Sequence, residues 1–324
     1  MPSVRFVCDP LRVPYVASVA DVLERGGWDC SVRDLADLPS ADALAEIARA
    51  DIVVTVHSTK PELEPAFAAL RARGVPTLTL QDGIIEHRHS TNGVGGKRRY
   101  RPLLTDHIAV FGRASADILA SWGVAPERIT VTGSPRFAAS VEGPGRGLLL
   151  TTANRPTHSR RQLASLYRLM ARVLEACEAE DVPVRWRPGR SLVPGRMNAP
   201  ETLEDRLEAD VAARFGALTP SRGALADDLT ACAAVLTTPS TVALEAMAVG
   251  RPTGHLEWDD ETIYLNPPWR VRRSSDLRAV VRQMMDPPPL KMAFQEATLA
   301  YQLERDDPAG RAARLIAHMA GERP

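Results

Sequence analysis

The sequence predicts an α/β protein with two doubly wound domains, each a parallel sheet covered by helices. Short β-rich runs alternate with helical stretches rich in Ala, Leu, Glu and Arg along the 324 residues, which is typical of parallel sheets. The alternation is broken once, by the Gly- and Pro-rich segment 141–147, and then starts again. A chain of this length is long for one hydrophobic core and long enough for two of ordinary size.

Each half of the chain contains its own series of predicted strands and helices. In the first half the strands cover 4–8, 30–32, 51–56, 77–80, 107–111 and 129–132, and the helices cover 16–25, 41–49, 63–73 and 115–122. In the second half the strands cover 148–152, 184–186, 233–236 and 253–256, and the helices cover 161–180, 204–214 and 224–232. The remainder from Leu277 is helical, with an interruption at the three prolines 287–289.

Composition excludes several classes of protein. Forty basic residues balance forty acidic ones, so we expect no bulk attraction to nucleic acid. The four cysteines are scattered beside apolar segments without a CxxC pair, which favours reduced, buried thiols. No apolar run approaches the roughly 20 residues that span a bilayer, and the first residues lack a leader pattern. We therefore expect a soluble, cytoplasmic protein.

The segment 233–252 carries the strongest functional signal. An apolar run of strand length, 233–236, is followed by a Thr-Pro-Ser turn. Ser240 or Thr241 can then cap a helix of strong helix formers, which Gly250 ends. Backbone N–H groups and the positive end of the helix dipole meet at such a junction, which is why it binds phosphate.

Glu245 extends this signal along the same helix. It follows Ser240 by five residues, which places it about 7.5 Å further along the helix axis. A carboxylate there can accept hydrogen bonds from the two hydroxyls of a ribose whose phosphate lies at the helix tip. The alternative is an ordinary βα unit with a capping serine and a solvated glutamate.

Two sequence blocks carry a family resemblance. The first is Ser240-Thr241-Val242-Ala243-Leu244-Glu245-Ala246-Met247-Ala248-Val249-Gly250-Arg251-Pro252, and the second combines Thr105-Asp106-His107-Ile108-Ala109-Val110-Phe111-Gly112 with Gly133-Ser134-Pro135-Arg136-Phe137. The chain resembles glycosyltransferases with the GT-B fold. The similarity is greatest to the group of CDP-glycerol glycerophosphotransferases, capsule polysaccharide transferases and UDP-GlcNAc 2-epimerases.

The resemblance implies a fold and a domain organisation. GT-B proteins have two Rossmann-like doubly wound domains that face each other across a cleft. Residues 1–142 would form the acceptor domain and residues 147–286 the nucleotide-sugar donor domain. The helices over 287–324 would pack back toward the first domain.

The resemblance also points to a catalytic base. Strand 77–80 ends in Gln81-Asp82-Gly83, where teichoic-acid and capsule members have Gln-His-Gly and the histidine is the proposed base. A carboxylate can also act as a base, although Asp82 could instead accept turn N–H bonds. Glu86 and His87 are the alternative bases. His87 and His89 lack a third ligand, so we expect no metal.

The remaining site candidates would contact the donor. Arg187 and Arg190 lie in a segment similar to a family Arg-Pro-His-Pro motif, with Gly189 in the histidine position. The phosphate contact of that histidine would therefore be absent or supplied by Arg187 or Arg190. The other donor-binding candidates are Ser134, Thr152, Asn154, Arg155, Ser240, Thr241 and Glu245.

These residues lead to a predicted function with alternatives. We expect an inverting, metal-independent glycosyltransferase, or a glycerophosphotransferase-like enzyme, in surface polysaccharide or glycoconjugate biosynthesis. Its partners would be a nucleotide-activated donor and a carbohydrate or lipid-linked acceptor, with no separate cofactor. Peripheral membrane contact is compatible with such an acceptor. The alternatives are a nucleotide-sugar 2-epimerase or hydrolase, and a non-catalytic nucleotide-binding protein.

Overall fold

A computed structural model describes most of the chain as two compact units. The described residues are 1–38, 40–56, 63–85, 100–137, 141, 143–153, 160–189, 215, 218–257 and 265–321. Unit 1 comprises Met1–Phe137 together with Ala300–Pro324, and unit 2 comprises Ala138–Leu299. None of the described helices combines the length and the apolar character needed to cross a bilayer.

Unit 1 contains a parallel sheet of six strands in the order β2-β1-β3-β4-β5-β6. The strands are β1 (Ser3–Cys8), β2 (Asp29–Asp34), β3 (Ile52–Thr55), β4 (Thr77–Leu80), β5 (His107–Val110) and β6 (Ile129–Val131). The helices that precede the Gly- and Pro-rich segment 141–147 are α1 (Val13–Arg25), α2 (Ala41–Ile47), α3 (Glu64–Ala72) and α4 (Arg113–Ser121).

Unit 2 contains a parallel sheet of five strands in the order β11-β10-β9-β7-β8. The strands are β7 (Leu148–Thr151), β8 (Val184–Arg187), β9 (Ala234–Thr237), β10 (Thr253–Leu256) and β11 (Trp269–Val271). The remaining helices of the chain are α5 (Arg160–Ala179), α6 (Leu225–Ala231), α7 (Thr241–Ala248), α8 (Leu277–Met285), α9 (Pro289–Gln302) and α10 (Pro308–Gly321).

Both sheets bury apolar side chains on each face, because successive residues of a strand point to opposite faces. In unit 1, Phe6 packs in one core with Val19 of α1 and Ile316 of α10. In unit 2, Leu236 belongs to the core formed with α5 and α8. Its neighbour Val235 belongs to the opposite core, formed with α6 and α7. The predicted fold class, two doubly wound α/β units, is therefore confirmed.

The two sheets share one topology. In each, the second strand lies on one side of the first strand and the third strand lies on the other side. The strand order therefore reverses between β1 and β3 in unit 1, and between β7 and β9 in unit 2. Doubly wound sheets bind ligands outside the carboxyl ends of their strands at such a switch point.

One strand was not predicted, and one predicted helix falls outside the described residues. Strand β11 was missed because Trp-Arg-Val is only three residues long and has an exposed arginine at its centre, as suits a strand at the sheet edge. The predicted helix over 204–214 lies outside the described residues.

Gly250 terminates helix α7 two residues after its last helical residue, Ala248, as predicted. Gly250 has a φ of 74°, which glycine adopts without the steric cost that a side chain would bring. Its N–H donates to the Met247 carbonyl at 2.9 Å, and the Arg251 N–H donates to the Ala246 carbonyl at 2.9 Å. This pair of bonds is the Schellman motif, which satisfies carbonyls that the helix end leaves open.

Arg251 anchors the segment that precedes β7. Its buried guanidinium donates to the carbonyls of Gly143 at 2.8 Å and Pro144 at 2.7 Å. It also donates to the carbonyls of Leu229 at 3.0 Å and Thr230 at 3.2 Å. The last two carbonyls lie in the final turn of α6, at the negative end of the helix dipole. Carbonyl dipoles thus compensate the buried charge, and Arg251 joins the segment before β7 to the end of α6 within unit 2.

Replacing this arginine should destabilise the protein strongly. Because Arg251→Met leaves buried carbonyls without donors, we expect the free energy of unfolding to fall by about 2–4 kcal/mol. Urea denaturation followed by circular dichroism measures the change. The control is Arg278→Met, which removes an exposed partner of Glu180 and should change stability by no more than about 0.5 kcal/mol. Equal stability of the two variants would show that the anchor contributes little.

Candidate functional site

A row of polar side chains crosses the carboxyl end of the sheet in unit 2. Lateral pairing joins one residue from each of the five strands: Arg187, Thr151, Thr237, His255 and Arg270. We call these residues the polar row. Laterally paired residues of a sheet point to the same face, so all of them lie on one side.

The polar row lies on the face that α6 and α7 cover. The residues two positions earlier on β7 and β9 pack with Leu229 of α6 and Ala246 of α7. At its centre Thr151, Thr237 and His255 are no more than 1 % exposed. Apolar side chains would normally fill such positions, so the strand ends are built for hydrogen bonding.

Two threonines join the loops at the switch point. The Thr238 hydroxyl, directly after β9, accepts a bond of 2.7 Å from the backbone N–H of Ala153, which follows β7. The Thr152 hydroxyl accepts a bond of 2.8 Å from the N–H of Gly189, which follows β8. Thr152, a predicted donor-binding residue, therefore holds neighbouring strand ends together. Asn154, Arg155 and Arg190 lie outside the described residues.

Ser240 occupies the N-cap position of α7 without capping it. Its hydroxyl makes no bond to the N–H groups of the helix and lies 3.1 Å from the Thr237 hydroxyl. Either hydroxyl can be the donor in this pair; when the Thr237 proton goes to the Thr238 carbonyl, 2.9 Å away, Ser240 is the donor to Thr237. The predicted capping of α7 by the Ser240 side chain is therefore wrong, and the Ser240 oxygen leaves the positive end of the helix uncapped.

Thr241 and Glu245 lie on α7 as predicted from the helix pattern. Both are partly buried, Thr241 in the first turn and Glu245 in the second. Their contact with a ribose or phosphate stays a prediction.

Arg187 belongs to an ion cluster at the β8 end of the polar row. It donates to the Asp228 carboxylate at 2.7 Å, while Arg185 donates to the same group at 3.2 Å. Ser221 also donates to both oxygens of Asp228, which is only 1 % exposed. Two guanidiniums therefore share one buried carboxylate, and the cluster keeps a net positive charge. Its position beside Thr151 suits an anionic ligand.

A similar cluster lies at the other end of the row. Glu257, directly after β10, accepts from the guanidiniums of Arg270 and Arg272 on β11 and its continuation. These charge-assisted bonds lower the pKa of Glu257 against the opposing effect of burial. Both edge strands thus present paired arginines around one buried carboxylate.

His255 was missed by the sequence analysis. Both of its ring nitrogens are buried and have no hydrogen-bond partner within the described part of the chain. Burial lowers its pKa from 6.5 to about 4, with Glu257 acting in the opposite direction and Arg270 in the same direction. The imidazole is therefore neutral at pH 7. Thr237 was missed as well, and the Thr-Thr pair that ends two apolar runs was the available signal.

The pKa of His255 predicts a pH dependence of stability. Between pH 6.5 and about 4 the unfolded chain binds a proton that the folded chain does not bind. The free energy of unfolding is therefore unaffected by the titration of His255 above pH 6.5, and it falls as the pH decreases from 6.5 toward 4. We expect the wild-type protein to lose about 3 kcal/mol of unfolding free energy across this window because of His255, and the His255→Leu variant not to show this loss. Urea denaturation of both proteins across this window measures it, and a pH-independent difference between them would contradict the assignment.

Unit 1 holds Asp82 in a buried network after β4. Gln81 fixes the turn, because its side chain accepts from the Phe111 N–H at 2.9 Å and donates to the Gly83 carbonyl at 2.7 Å. The Asp82 carboxylate pairs with Arg12 at 3.2 Å and accepts from the Tyr100 hydroxyl at 3.5 Å. Glu86 and His87, the alternative bases, lie outside the described residues.

Other polar groups of unit 1 surround this network. The guanidiniums of Arg12 and Arg136 lie 5.2 Å and 4.7 Å from the centre of the Tyr15 ring, and the Tyr15 hydroxyl donates to the Asp82 carbonyl at 2.8 Å. The predicted residue Ser134 lies in the loop after β6, with a buried hydroxyl that has no partner among the described residues. Asp82 and Ser134 thus belong to unit 1, whereas Thr152, Arg187 and the α7 residues belong to unit 2.

Comparison with solved structures finds proteins of similar fold, whereas comparison of sequences finds no match. No protein-family model matches this chain, and a comparison with curated protein sequences finds no match. The UDP-GlcNAc 2-epimerase of Methanocaldococcus jannaschii, in complex with UDP-GlcNAc and UDP, aligns with a TM-score of 0.63 at 12 % identity, over 98 % of this chain and 100 % of that one. The UDP-GlcNAc 2-epimerase of Neisseria meningitidis bound to UDP-GlcNAc aligns with a TM-score of 0.64 at 12 % identity, over 98 % and 99 %.

A wall teichoic acid polymerase has the same fold. TagF aligns with a TM-score of 0.60 at 11 % identity, over 99 % of this chain and 89 % of that one. At such identities the likeness establishes the fold, which is the predicted GT-B fold. These neighbours, epimerases and a teichoic-acid enzyme, come from the group that the two sequence blocks resemble, and that prediction is confirmed.

Proposed function

We propose that unit 2 binds a nucleotide-diphosphate-activated donor at the tip of α7. The observation that carries this proposal is the polar row at the β7/β9 switch point, beneath a helix end that its own serine does not cap. Dipole, hydroxyls and guanidiniums there favour a ligand with several negative charges. Two structural neighbours are named as complexes with UDP-GlcNAc, which supports the same class of ligand.

The donor would be held by residues of distinct chemistry. Ser240 and Thr241 donate to the phosphates at the helix tip, and the Arg187 cluster supplies positive charge beside them. Glu245 accepts from the ribose hydroxyls one turn further along α7. Asn154, Arg155 and Arg190 complete the contacts from the loops that follow β7 and β8. Helix dipole and guanidiniums can balance the diphosphate charge, so we propose that binding needs no metal.

We further propose that the protein is an inverting transferase with Asp82 as its base. An acceptor hydroxyl attacks the anomeric carbon from the face opposite the leaving group and loses its proton to Asp82. The bond from that carbon to the diphosphate breaks, and the growing negative charge is stabilised at the tip of α7. The Arg12 pairing supports this role, because it orients a carboxylate at the end of a strand. The acceptor would be a carbohydrate or lipid-linked molecule of surface polysaccharide synthesis.

A second candidate function is 2-epimerisation of a nucleotide sugar, because two of the structural neighbours are UDP-GlcNAc 2-epimerases. One experiment separates the candidates. The protein is incubated with UDP-, CDP- and GDP-sugars and with CDP-glycerol, with and without oligosaccharide or lipid-linked acceptors, and products are identified by NMR. Transfer that requires an acceptor supports the transferase. An acceptor-independent change of sugar configuration supports the epimerase, free sugar supports a hydrolase, and binding without any product supports a non-catalytic protein.

Glu245→Gln tests the ribose contact. Losing a charge-assisted hydrogen bond should weaken binding of the preferred nucleoside diphosphate by about 1–3 kcal/mol. Isothermal titration calorimetry measures the affinity, and thermal denaturation checks that the fold survives. The matched control is Glu180→Gln, directly after α5 in the same unit, where the carboxylate pairs with Arg278; it should leave affinity unchanged. Wild-type affinity in Glu245→Gln would reject the ribose assignment.

Asp82→Asn tests the base. Asparagine keeps the size of the side chain but not its basicity, so the transfer rate should fall by about 10²–10⁴-fold while donor affinity persists. The control is Asp106→Asn, at the amino end of β5, where the carboxylate accepts from Thr77 and Arg71. It should keep transfer within a few-fold of wild type. If Asp82→Asn also retains activity under conditions limited by chemistry, the base lies elsewhere.

A further inference from the structure

His255 occupies a position that costs the protein free energy. Its imidazole is fully buried, and neither ring nitrogen has a hydrogen-bond partner in the described ranges. An unpaired buried polar group destabilises a fold, so a leucine or valine would serve better if this position only packed. We therefore expect the imidazole to form a hydrogen bond in a ligand-bound state of the protein.

The neighbours of His255 indicate what that use is. In the polar row it is paired laterally with Thr237 on β9 and Arg270 on β11. The Arg270 guanidinium is directed to Glu257. The Thr237 hydroxyl donates to the Thr238 carbonyl and lies 3.1 Å from the hydroxyl of Ser240, the residue at the tip of α7, which can donate to it. The group within the row that can take a bond from His255 is therefore the Thr237 hydroxyl oxygen.

The Ser240 hydroxyl cannot serve two acceptors at once. It has one proton, which goes to Thr237 when the Thr237 proton goes to the Thr238 carbonyl. A phosphate at the tip of α7 would draw that proton toward its own oxygens, because a bond to an anion is the stronger one. Thr237 would then lose a buried donor. A neutral imidazole keeps one N–H in either tautomer, and neighbouring strands are only about 4.8 Å apart.

We propose that His255 is a positioning residue of the donor site, which donates its N–H to the Thr237 hydroxyl when Ser240 turns to a bound phosphate. This inference rests on the proposed function of unit 2. The exchange conserves the number of hydrogen bonds at Thr237 and uses a donor that is idle without ligand. Ser240 can thus bind phosphate without leaving a buried hydroxyl oxygen unsatisfied.

Two substitutions of His255 separate positioning from packing. His255→Leu removes the donor, so the affinity for UDP, or for whichever nucleoside diphosphate the wild type prefers, should fall about three- to tenfold. Stability without ligand should stay equal or rise, because an unpaired polar group is gone. His255→Gln keeps an N–H donor and should bind within about twofold of wild type. A packing role predicts the reverse, a loss of stability with unchanged affinity.

A matched control lies on the other face of the same sheet. Tyr167 also has a buried hydroxyl without a partner in the described chain, and it belongs to the core with α5 and α8. Tyr167→Phe should leave nucleotide affinity unchanged. An equal loss of affinity in Tyr167→Phe and His255→Leu would overturn the proposal, because general repacking of unit 2 would then explain both.

A double-mutant cycle with Ser240→Ala tests the coupling directly. Without the serine hydroxyl, Thr237 already lacks its donor before ligand binds, so His255 has no ligand-dependent exchange to make. The affinity loss of His255→Leu should therefore disappear in the Ser240→Ala background. An unchanged loss in that background would overturn the relay.

NMR of ¹⁵N-labelled wild-type protein gives the direct readout. The ring nitrogen signals of His255, assigned by their absence in His255→Leu, should shift on saturation with the nucleoside diphosphate, and unchanged signals would contradict the proposal. If the wild type binds no nucleotide of the panel, the proposed function fails and this inference with it. If the wild type binds and His255→Leu binds equally well, only the inference fails.

Discussion

The parallel pairing of β7, β8, β9, β10 and β11 is the constraint on which the candidate site depends. Parallel strands bring all their carboxyl ends to one edge of the sheet, and lateral register decides which side chains become neighbours there. In this chain the register aligns polar residues from every strand of unit 2. A shift of one residue in any strand would send its polar side chain into the opposite, apolar core. The hydrophobic pattern of the strands therefore also fixes the chemistry at their ends.

Buried polar groups at that edge are held by a small set of specific bonds. Thr152 and Thr238 accept from backbone N–H groups of neighbouring loops, and Asp228 accepts from two arginines and a serine. Each of these bonds satisfies a group that water cannot reach. The loops that follow β7, β8 and β9 are thus joined to one another by direct hydrogen bonds.

The fold itself does not choose between reactions. Epimerases and a teichoic acid polymerase share it with this chain at low sequence identity, and one fold commonly hosts several chemistries. The choice rests on particular side chains. Here an aspartate paired with Arg12 occupies the position after β4, and in the sequence resemblance Gly189 stands where the family motif has histidine. These departures make the base and the phosphate contacts the features that experiments must resolve.

The sequence by itself determined the local features of this protein. Strand and helix alternation predicted both sheets, and the Ser240–Gly250 pattern predicted α7 with its end at glycine, because such features depend on neighbours only a few residues away. The tertiary structure decided what lateral register and long-range contact control. It placed His255 beside Thr237 and paired Asp82, which follows β4, with Arg12, which follows β1. It also directed the Ser240 hydroxyl to Thr237 and not to its own helix. No short-range pattern encodes the first two contacts, since each joins segments that only the assembled sheet brings together, whereas Ser240 and Thr237 are three residues apart and the turn between them sets their contact.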